Sequence, residues 1–196
     1  SLPILRALSK TEPIGMIHID AHCDTGDNYG GSRFHHGAPF KVAVDEGILD
    51  PSRTIQIGIR GTMNNADMWK FSHTSGMRVM YVDECQDVDH VLSEIRAVVG
   101  NTGRPTYISF DIDSLDPAFA PGTGTPEIGG LTSLQAQQIL RGLCDPDLNL
   151  NVVGADLVEV SPPDDVGGIT ALAGANITFE LLCVVHESMM RQQEKK

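Results

Sequence analysis

The sequence predicts an α/β fold built on a mainly parallel sheet with helices on both faces. Three observations predict it. Short runs rich in Val and Ile alternate with longer segments of helical pattern. The short runs mostly lack polar alternation, as strands covered on both faces do. The strand–helix–strand order repeats, which sets parallel strands side by side through helical crossovers. In chain order, strands are expected over residues 13–20 (PIGMIHID), 54–60 (TIQIGIR), 77–83 (MRVMYVD), 105–113 (PTYISFDID) and 150–160 (LNVVGADLVEV). Helices are expected over 38–46, 64–72, 87–99, 132–143 and 169–190. No internal repeat, low-complexity tract or linker divides the chain, so residues 1–196 read as a single domain.

Bulk properties narrow the function. With 196 residues, 41% hydrophobic and 20% charged, the chain has enough apolar surface for a core. A net charge of -12 argues against nucleic acid or an anionic membrane as partner, because no basic patch neutralises phosphates. It suits a cationic ligand, or simply solubility. Cys23, Cys85, Cys144 and Cys183 are scattered without a C-x-x-C pair, the pattern of reduced thiols in a reducing compartment. No apolar stretch reaches about 18 uncharged residues, so no span is expected, and SLPILRALSKTEP lacks the pattern of a secretory signal.

In parallel sheets ligands sit beyond the carboxyl ends of the strands. DAHCD closes the first expected strand, DID the fourth and VEVSPP the fifth. If the first of these stays extended, Asp20, His22 and Asp24 share one face and Cys23 packs on the other. Asp111 and Asp113 follow the same two-residue spacing. Like charges held that close raise one another's pKa or require a cation between them. Four carboxylates and one imidazole suit Mn²⁺ or Mg²⁺, and they carry enough charge for two ions. The plain alternative, in which each Asp ends a strand or caps a helix, fits a lone Asp better than two matched clusters. Asp116, off the spacing and before Pro117, reads as a turn residue. His18, His73, His90 and His186 have no partner in spacing and read as structural or solvated.

DAHCD, HHGAPF, IQIGIRG, SFDIDSLDPAFAPGTGTPEIGGLT and GADLVEVSPPDD together resemble the ureohydrolases: arginase, agmatinase and the guanidino-acid hydrolases. The resemblance runs from about Pro13 to the last helix, and its flavour is closer to agmatinase than to arginase. It implies a three-layer αβα sandwich and a pair of Mn²⁺ ions. It further implies that Asp20 and Asp111 bridge the ions, that Asp24 serves one, and that His22 and Asp113 serve the other. A hydroxide activated by the pair then attacks a guanidinium carbon, giving urea and an amine. Asp24 thereby counts among the catalytic candidates as well as the ligands. Glu159 matches the carboxylate that pairs with the guanidinium group, a bidentate contact that fixes a planar substrate. Its apolar neighbours suggest a buried charge in want of a partner. His36 matches a proton-shuttling histidine, and Thr125 matches a residue lining the pocket.

Two further features bear on activity. The family carries a GGDHS-type segment upstream of the first motif, which supplies one more histidine ligand; SLPILRALSK holds no histidine. An N-terminally truncated domain, weak in one metal and slow or inactive, is therefore one expectation. The loop at residues 25–35 (TGDNYGGSRFH) should read the substrate's tail. Asp27 suits an ammonium, as in agmatine; Arg33 suits a carboxylate, as in guanidinobutyrate or guanidinopropionate; or the two pair with each other. The overall charge favours agmatine, with putrescine as product. The resemblance also implies a homo-oligomer, trimeric or hexameric, in the cytoplasm, or in mitochondria if the source is eukaryotic. A zinc deacetylase on a similar fold is the rival enzyme class, but one zinc leaves Asp24 and Asp113 unneutralised. A non-catalytic, structural chain is the third.

Overall fold

The computed structural model describes residues 1–61 and 69–194. Five parallel strands form one sheet: β1 Ile14–Ile19, β2 Leu49–Ile59, β3 Arg78–Tyr81, β4 Pro105–Asp111 and β5 Asn151–Val158. Their spatial order is β3-β2-β1-β4-β5. The chain steps outward from β1 to β2 and β3, then crosses to β4 on the other side of β1. The gap between β1 and β4 is thus the point where strand order reverses, the place where such sheets open a crevice at their carboxyl ends.

All five expected strands form. β2 starts earlier than its apolar run: Leu49 pairs with Ile14, and a register shift before Thr54 accommodates Pro51, which has no N–H to donate to a ladder. β4 stops at Asp111 because Ile112–Ser114 turns into a short 3₁₀ helix.

Helices flank both faces. Leu2–Leu8 (α1) and Pro39–Asp45 (α2) cover one, with Leu2, Leu5, Phe40, Val42 and Ala43 packed on Ile14, Met16 and Tyr107. Val88–Val99 (α5 follows it at Ser133–Gly142, with α6 at Ile169–Glu194) is α4, and these three cover the other face. There Val91, Ile95, Ile139, Leu140, Ile177 and Leu181 meet Ile17, Ile19, Ile108 and Phe110. Alternate residues of β1 thus serve the two layers, Ile14, Met16 and His18 facing one way and Ile17 and Ile19 the other. Side chains set the ends of α4 and α5: Asp87 accepts from the Asp89 N–H, and Thr132 and Gln135 form a reciprocal capping box.

The seven-residue α1 was not expected, being too short for its two buried leucines to establish a period. Of the helix expected at 64–72, residues 64–68 lie outside the described ones; Lys70–Ser75 is α3. The expectation that nothing is long and apolar enough to span a membrane needs correction. α6 meets that test by length and composition, because the one charge inside its apolar run, Glu180, does not outweigh the rest. In this fold Glu180 pairs with Arg141 at 2.6 Å, and Ile177, Leu181 and Val184 pack into the core beside Val152.

Candidate metal centre

The centre grows from three adjacent strand ends. Ile19 pairs with Phe110 and Asp111 with Val158, so Asp20, Asp111 and Glu159 emerge side by side. The sheet's hydrogen bonding persists past β1: the Asp20 N–H reaches the Ile57 carbonyl at 3.0 Å and the Arg60 N–H reaches Ala21 at 2.9 Å. Gly58 lies against this segment at φ 93, where a Cβ would stand 3.2 Å from the Asp20 carbonyl oxygen. A side chain there would strain the backbone that aims Asp20.

The extended spacing expected of these residues is not what gathers them. Asp20 to His22 form a bend, and Asp24 adopts left-handed backbone at φ 51. The bend lets Asp20 Oδ1 accept its neighbour's N–H, from His22 at 2.6 Å. Asp113 sits in the 3₁₀ turn, whose first N–H bond goes to Asp111 Oδ1 at 2.9 Å. Tight turns closed by aspartate side chains therefore replace strand alternation.

The result is convergent. His22 Nδ1 lies 3.1 Å from Asp113 Oδ2 and 3.4 Å from Asp20 Oδ1. Asp113 Oδ1 accepts from the Ala21 N–H at 3.2 Å, and the Thr125 hydroxyl donates to Asp113 Oδ2 at 3.2 Å. Two donor triads share Asp20: His18, Asp20 and Asp24, and Asp20, His22 and Asp113, the candidate ligand atoms of each lying within 4.8 Å of one another.

Charge is badly balanced here. Burial pushes the Asp111 carboxyl up to about 11, helped by Asp20 and Asp113. Burial, then Asp20, raises Asp24 well above the carboxylate range. Burial also works against the charge on Asp20, but His18 and His22 outweigh it and hold that carboxyl below its ordinary value. Likewise burial opposes a charged His22, yet Asp113 and Asp20 lift it to about 10. Buried carboxylates that exceed the cations around them, with an imidazole among them, fit hard divalent cations.

The remaining candidates surround this cluster. The loop after Asp24 closes on itself: the Gly26 N–H bonds the Gly37 carbonyl at 2.7 Å, and the Phe40 N–H bonds the Asp24 carbonyl at 3.2 Å. A Cβ on Gly26 would stand 2.7 Å from the Gly37 oxygen, so the closure requires glycine. The closure brings Gly37 against Asp24, and His36 beside it is exposed, its ring 6.1 Å from that of His35, which bonds the Asp27 carbonyl at 2.6 Å. Asp27 and Arg33 do not pair with each other. Arg33 bonds Asp45 at 3.2 Å, while the Asp27 carboxylate has no cationic partner among the described residues. Glu159 is exposed rather than buried as its apolar neighbours suggested. It stands at φ 65 just beyond β5, which turns it out of the strand's packing, and its charge acts on Asp24. Asp116 is a turn residue, accepting from Ala118, Gly129 and Gly130. Cys23 packs its side chain against Ile59 and Val79.

Gln56 and Arg60 of this neighbourhood went unread in the sequence, and His18, read there as structural or solvated with no partner in spacing, is buried and does have one in Asp20. His18 bonds Asp20, and Gln56 bonds His18; a polar residue inside TIQIGIR was the available sign. Arg60 is buried and donates to the carbonyls of Gly58, Asp113, Ser114, Leu115, Glu127 and Ile128.

A parallel sheet flanked by helices, with acidic side chains gathered where its strand order reverses, is the arginase-like α/β fold. The pattern of the Arginase family matches residues 1–183, and the chain belongs to that family. It is 57% identical to guanidinopropionase of Pseudomonas aeruginosa over 97% of this chain and 59% of that protein. It is 52% identical to a mitochondrial agmatinase of Gallus gallus, over 93% of this chain and 53% of the relative. Among solved structures, proclavaminate amidino hydrolase from Streptomyces clavuligerus superposes with a TM-score of 0.87 at 42% identity, over 95% of this chain and 61% of that one. The chain thus spans between half and two thirds of the length of these proteins.

Proposed function

We propose that the chain hydrolyses a guanidino compound, agmatine foremost, to urea and an amine. The observation that supports this is the convergence of Asp20, His22, Asp24, Asp111 and Asp113 at the sheet's reversal point, with Glu159, which has no cationic partner among the described residues, beside them. Those five residues would hold two divalent cations, Mn²⁺ by donor preference, and bound there the cations would supply a water activated as a nucleophile at neutral pH. Glu159 accepts two N–H bonds from the planar guanidinium group and fixes its carbon in front of the nucleophile. Asp24 accepts a hydrogen bond that orients the attacking oxygen. Thr125 lines the pocket while its hydroxyl steadies Asp113. His36 donates a proton to the departing amine as the C–N bond breaks. Asp27, without a cationic partner among the described residues, receives an ammonium tail, and the products of agmatine are urea and putrescine.

A second reading replaces agmatine with a guanidino acid. The 57% identity to a protein named guanidinopropionase favours it, and Arg33 would then leave Asp45 for the substrate's carboxylate. A homo-oligomer, trimeric or hexameric, in the cytoplasm or mitochondrion completes the proposal. The test is urea release from agmatine, guanidinobutyrate, guanidinopropionate and arginine, with and without Mn²⁺, together with metal content. Mn²⁺-dependent urea, fastest from agmatine, with about two ions per chain is the expected result. A faster rate with either guanidino acid selects the second reading. Metal-loaded chain that releases no urea from any of the four overturns both.

A further inference from the structure

We infer that His18, locked by Gln56, is the positioning residue that orients the Asp20 carboxylate toward a divalent cation. The inference rests on the metal-centre reading above. His18 is 1% exposed and shares the α1/α2 side of β1 with Met16. Its Nε2 lies 2.7 Å from Asp20 Oδ2, a hydrogen-bond distance that requires a proton between the two atoms. Which ring nitrogen carries that proton is set from the neighbouring strand. Gln56 is the β2 residue in register with His18. Its amide nitrogen donates to the Cys23 carbonyl at 2.6 Å and faces His18 Nδ1 at 3.0 Å.

The Cys23 carbonyl only accepts, so it fixes the amide with Nε2 inward. The second amide hydrogen then meets Nδ1, which must offer a lone pair, leaving the ring proton on Nε2. Gln56 Oε1 is left buried without a partner, the cost of aiming both amide hydrogens inward. Phe40 packs edge-on against the imidazole at 4.5 Å between centroids and holds the ring's plane. The outcome is a fixed chain from the Cys23 carbonyl through Gln56 and His18 to Asp20 Oδ2. Oδ1 is held separately by the His22 N–H at 2.6 Å. A carboxylate clamped at both oxygens cannot rotate, so its remaining lone pairs point where a cation must be met.

His18 is not itself a ligand on this reading, because both ring nitrogens are already engaged. A pair of side chains separates the alternatives. In His18→Gln the terminal N–H₂ reaches the position of Nε2 and still donates to Asp20; in His18→Asn it falls at the position of Nδ1 and cannot. Both variants are polar and uncharged, and the melting curves measure the packing loss from the one methylene by which they differ. Mn²⁺ alone is titrated into the full chain while the electron paramagnetic resonance signal of free Mn²⁺ is followed, with melting curves as a check on folding. His18→Asn is expected to weaken Mn²⁺ binding roughly 10–100-fold, with His18→Gln recovering most of it. Gln56→Met should weaken binding in the same direction. Equal affinities for His18→Asn, His18→Gln and the unaltered chain overturn the inference, as does loss of a whole Mn²⁺ site in His18→Gln, which would make His18 a ligand. Failure of the unaltered chain to bind Mn²⁺ overturns the metal reading itself.

Discussion

Asp24 and Glu159 reach the same crevice from separate strands, and both do so on left-handed backbone, at φ 51 and φ 65. The other two non-glycine residues with positive φ among those described are Asn101 and Asn149, a residue type that tolerates this region. Glutamate does not. Strain at Glu159, held where its charge faces Asp24, supports the role proposed for it in binding substrate.

Glu159 therefore yields a paired prediction. Glu159→Gly relieves the backbone and removes a negative charge facing Asp24, so unfolding free energy should rise by about 1 kcal/mol. If Glu159 holds a guanidinium group as proposed, the same change should lower kcat/KM for that substrate by on the order of 10²-fold or more. Chemical denaturation and urea release measured on one preparation check both. A variant less stable than the parent would remove the case for strain.

Substitution of Asp111 should change stability in a way that depends on metal. Its carboxyl is buried beside Asp20 and Asp113 and is pushed up to about 11, so near neutral pH it must take up a proton as the metal-free chain folds; Asp111→Asn keeps the oxygen that accepts from Asp113 and is neutral without that proton. Metal-free Asp111→Asn should be more stable than the metal-free parent by on the order of 1–3 kcal/mol. Added Mn²⁺ should raise the Tm of the parent in a concentration-dependent way and that of the variant far less. Melting curves with chelator and with Mn²⁺ give the comparison. Chelator that leaves the parent's Tm unchanged after full metal loading would refute it.

The strands were legible because their burial is nearly complete: β1 is covered along its whole length, so IGMIHI is apolar apart from one histidine. That same apolar surround hid His18, whose only sign was its position two residues before Asp20. Asp20, His22, Asp24, Asp111 and Asp113 were legible as a group, but for a reason the backbone does not follow. Even spacing suggested one extended face, whereas bends and a 3₁₀ turn bring them together. Arg60 escaped notice because its partners are backbone carbonyls, which leave no mark in a sequence. Glu159 was misjudged as buried, since a φ of 65 cannot be foreseen from apolar neighbours.

The cysteines give a test of core packing that needs no metal. Burial is the main cause that pushes the Cys23 thiol up to about 12 and that of Cys85 up to about 11. A thiol reacts as its thiolate, so at pH 8 only about one Cys85 in a thousand is reactive. Raising the pH increases that fraction about tenfold per unit until the pKa is approached. Iodoacetamide at pH 8 should spare Cys23 and Cys85 in the native chain and label both in denaturant, as peptide mass spectrometry would show. Native labelling of Cys85 as fast as in denaturant would contradict its place in the core.

Arg60 offers the last and most structural prediction. Its guanidinium donates to six carbonyls contributed by β2, by the turn after β4 and by residues 127 and 128, and the two shortest contacts, to Asp113 and Glu127, are 2.7 Å. Among the described residues no carboxylate pairs with it directly; carbonyl dipoles balance it, and burial lowers its pKa from the usual value, with Asp113 and Asp116 opposing that. Lysine keeps the charge but brings three donors in place of five and lacks the planar fork. Arg60→Lys therefore leaves buried carbonyls unsatisfied and should cost about 2–3 kcal/mol of stability. Because the Asp113 carbonyl is one of the six, the turn that presents the Asp113 carboxylate should loosen as well, and Mn²⁺ affinity should fall alongside stability. Denaturant unfolding and Mn²⁺ titration of Arg60→Lys measure the two effects. A variant with lower stability and unchanged Mn²⁺ affinity would confine Arg60 to holding the loops together.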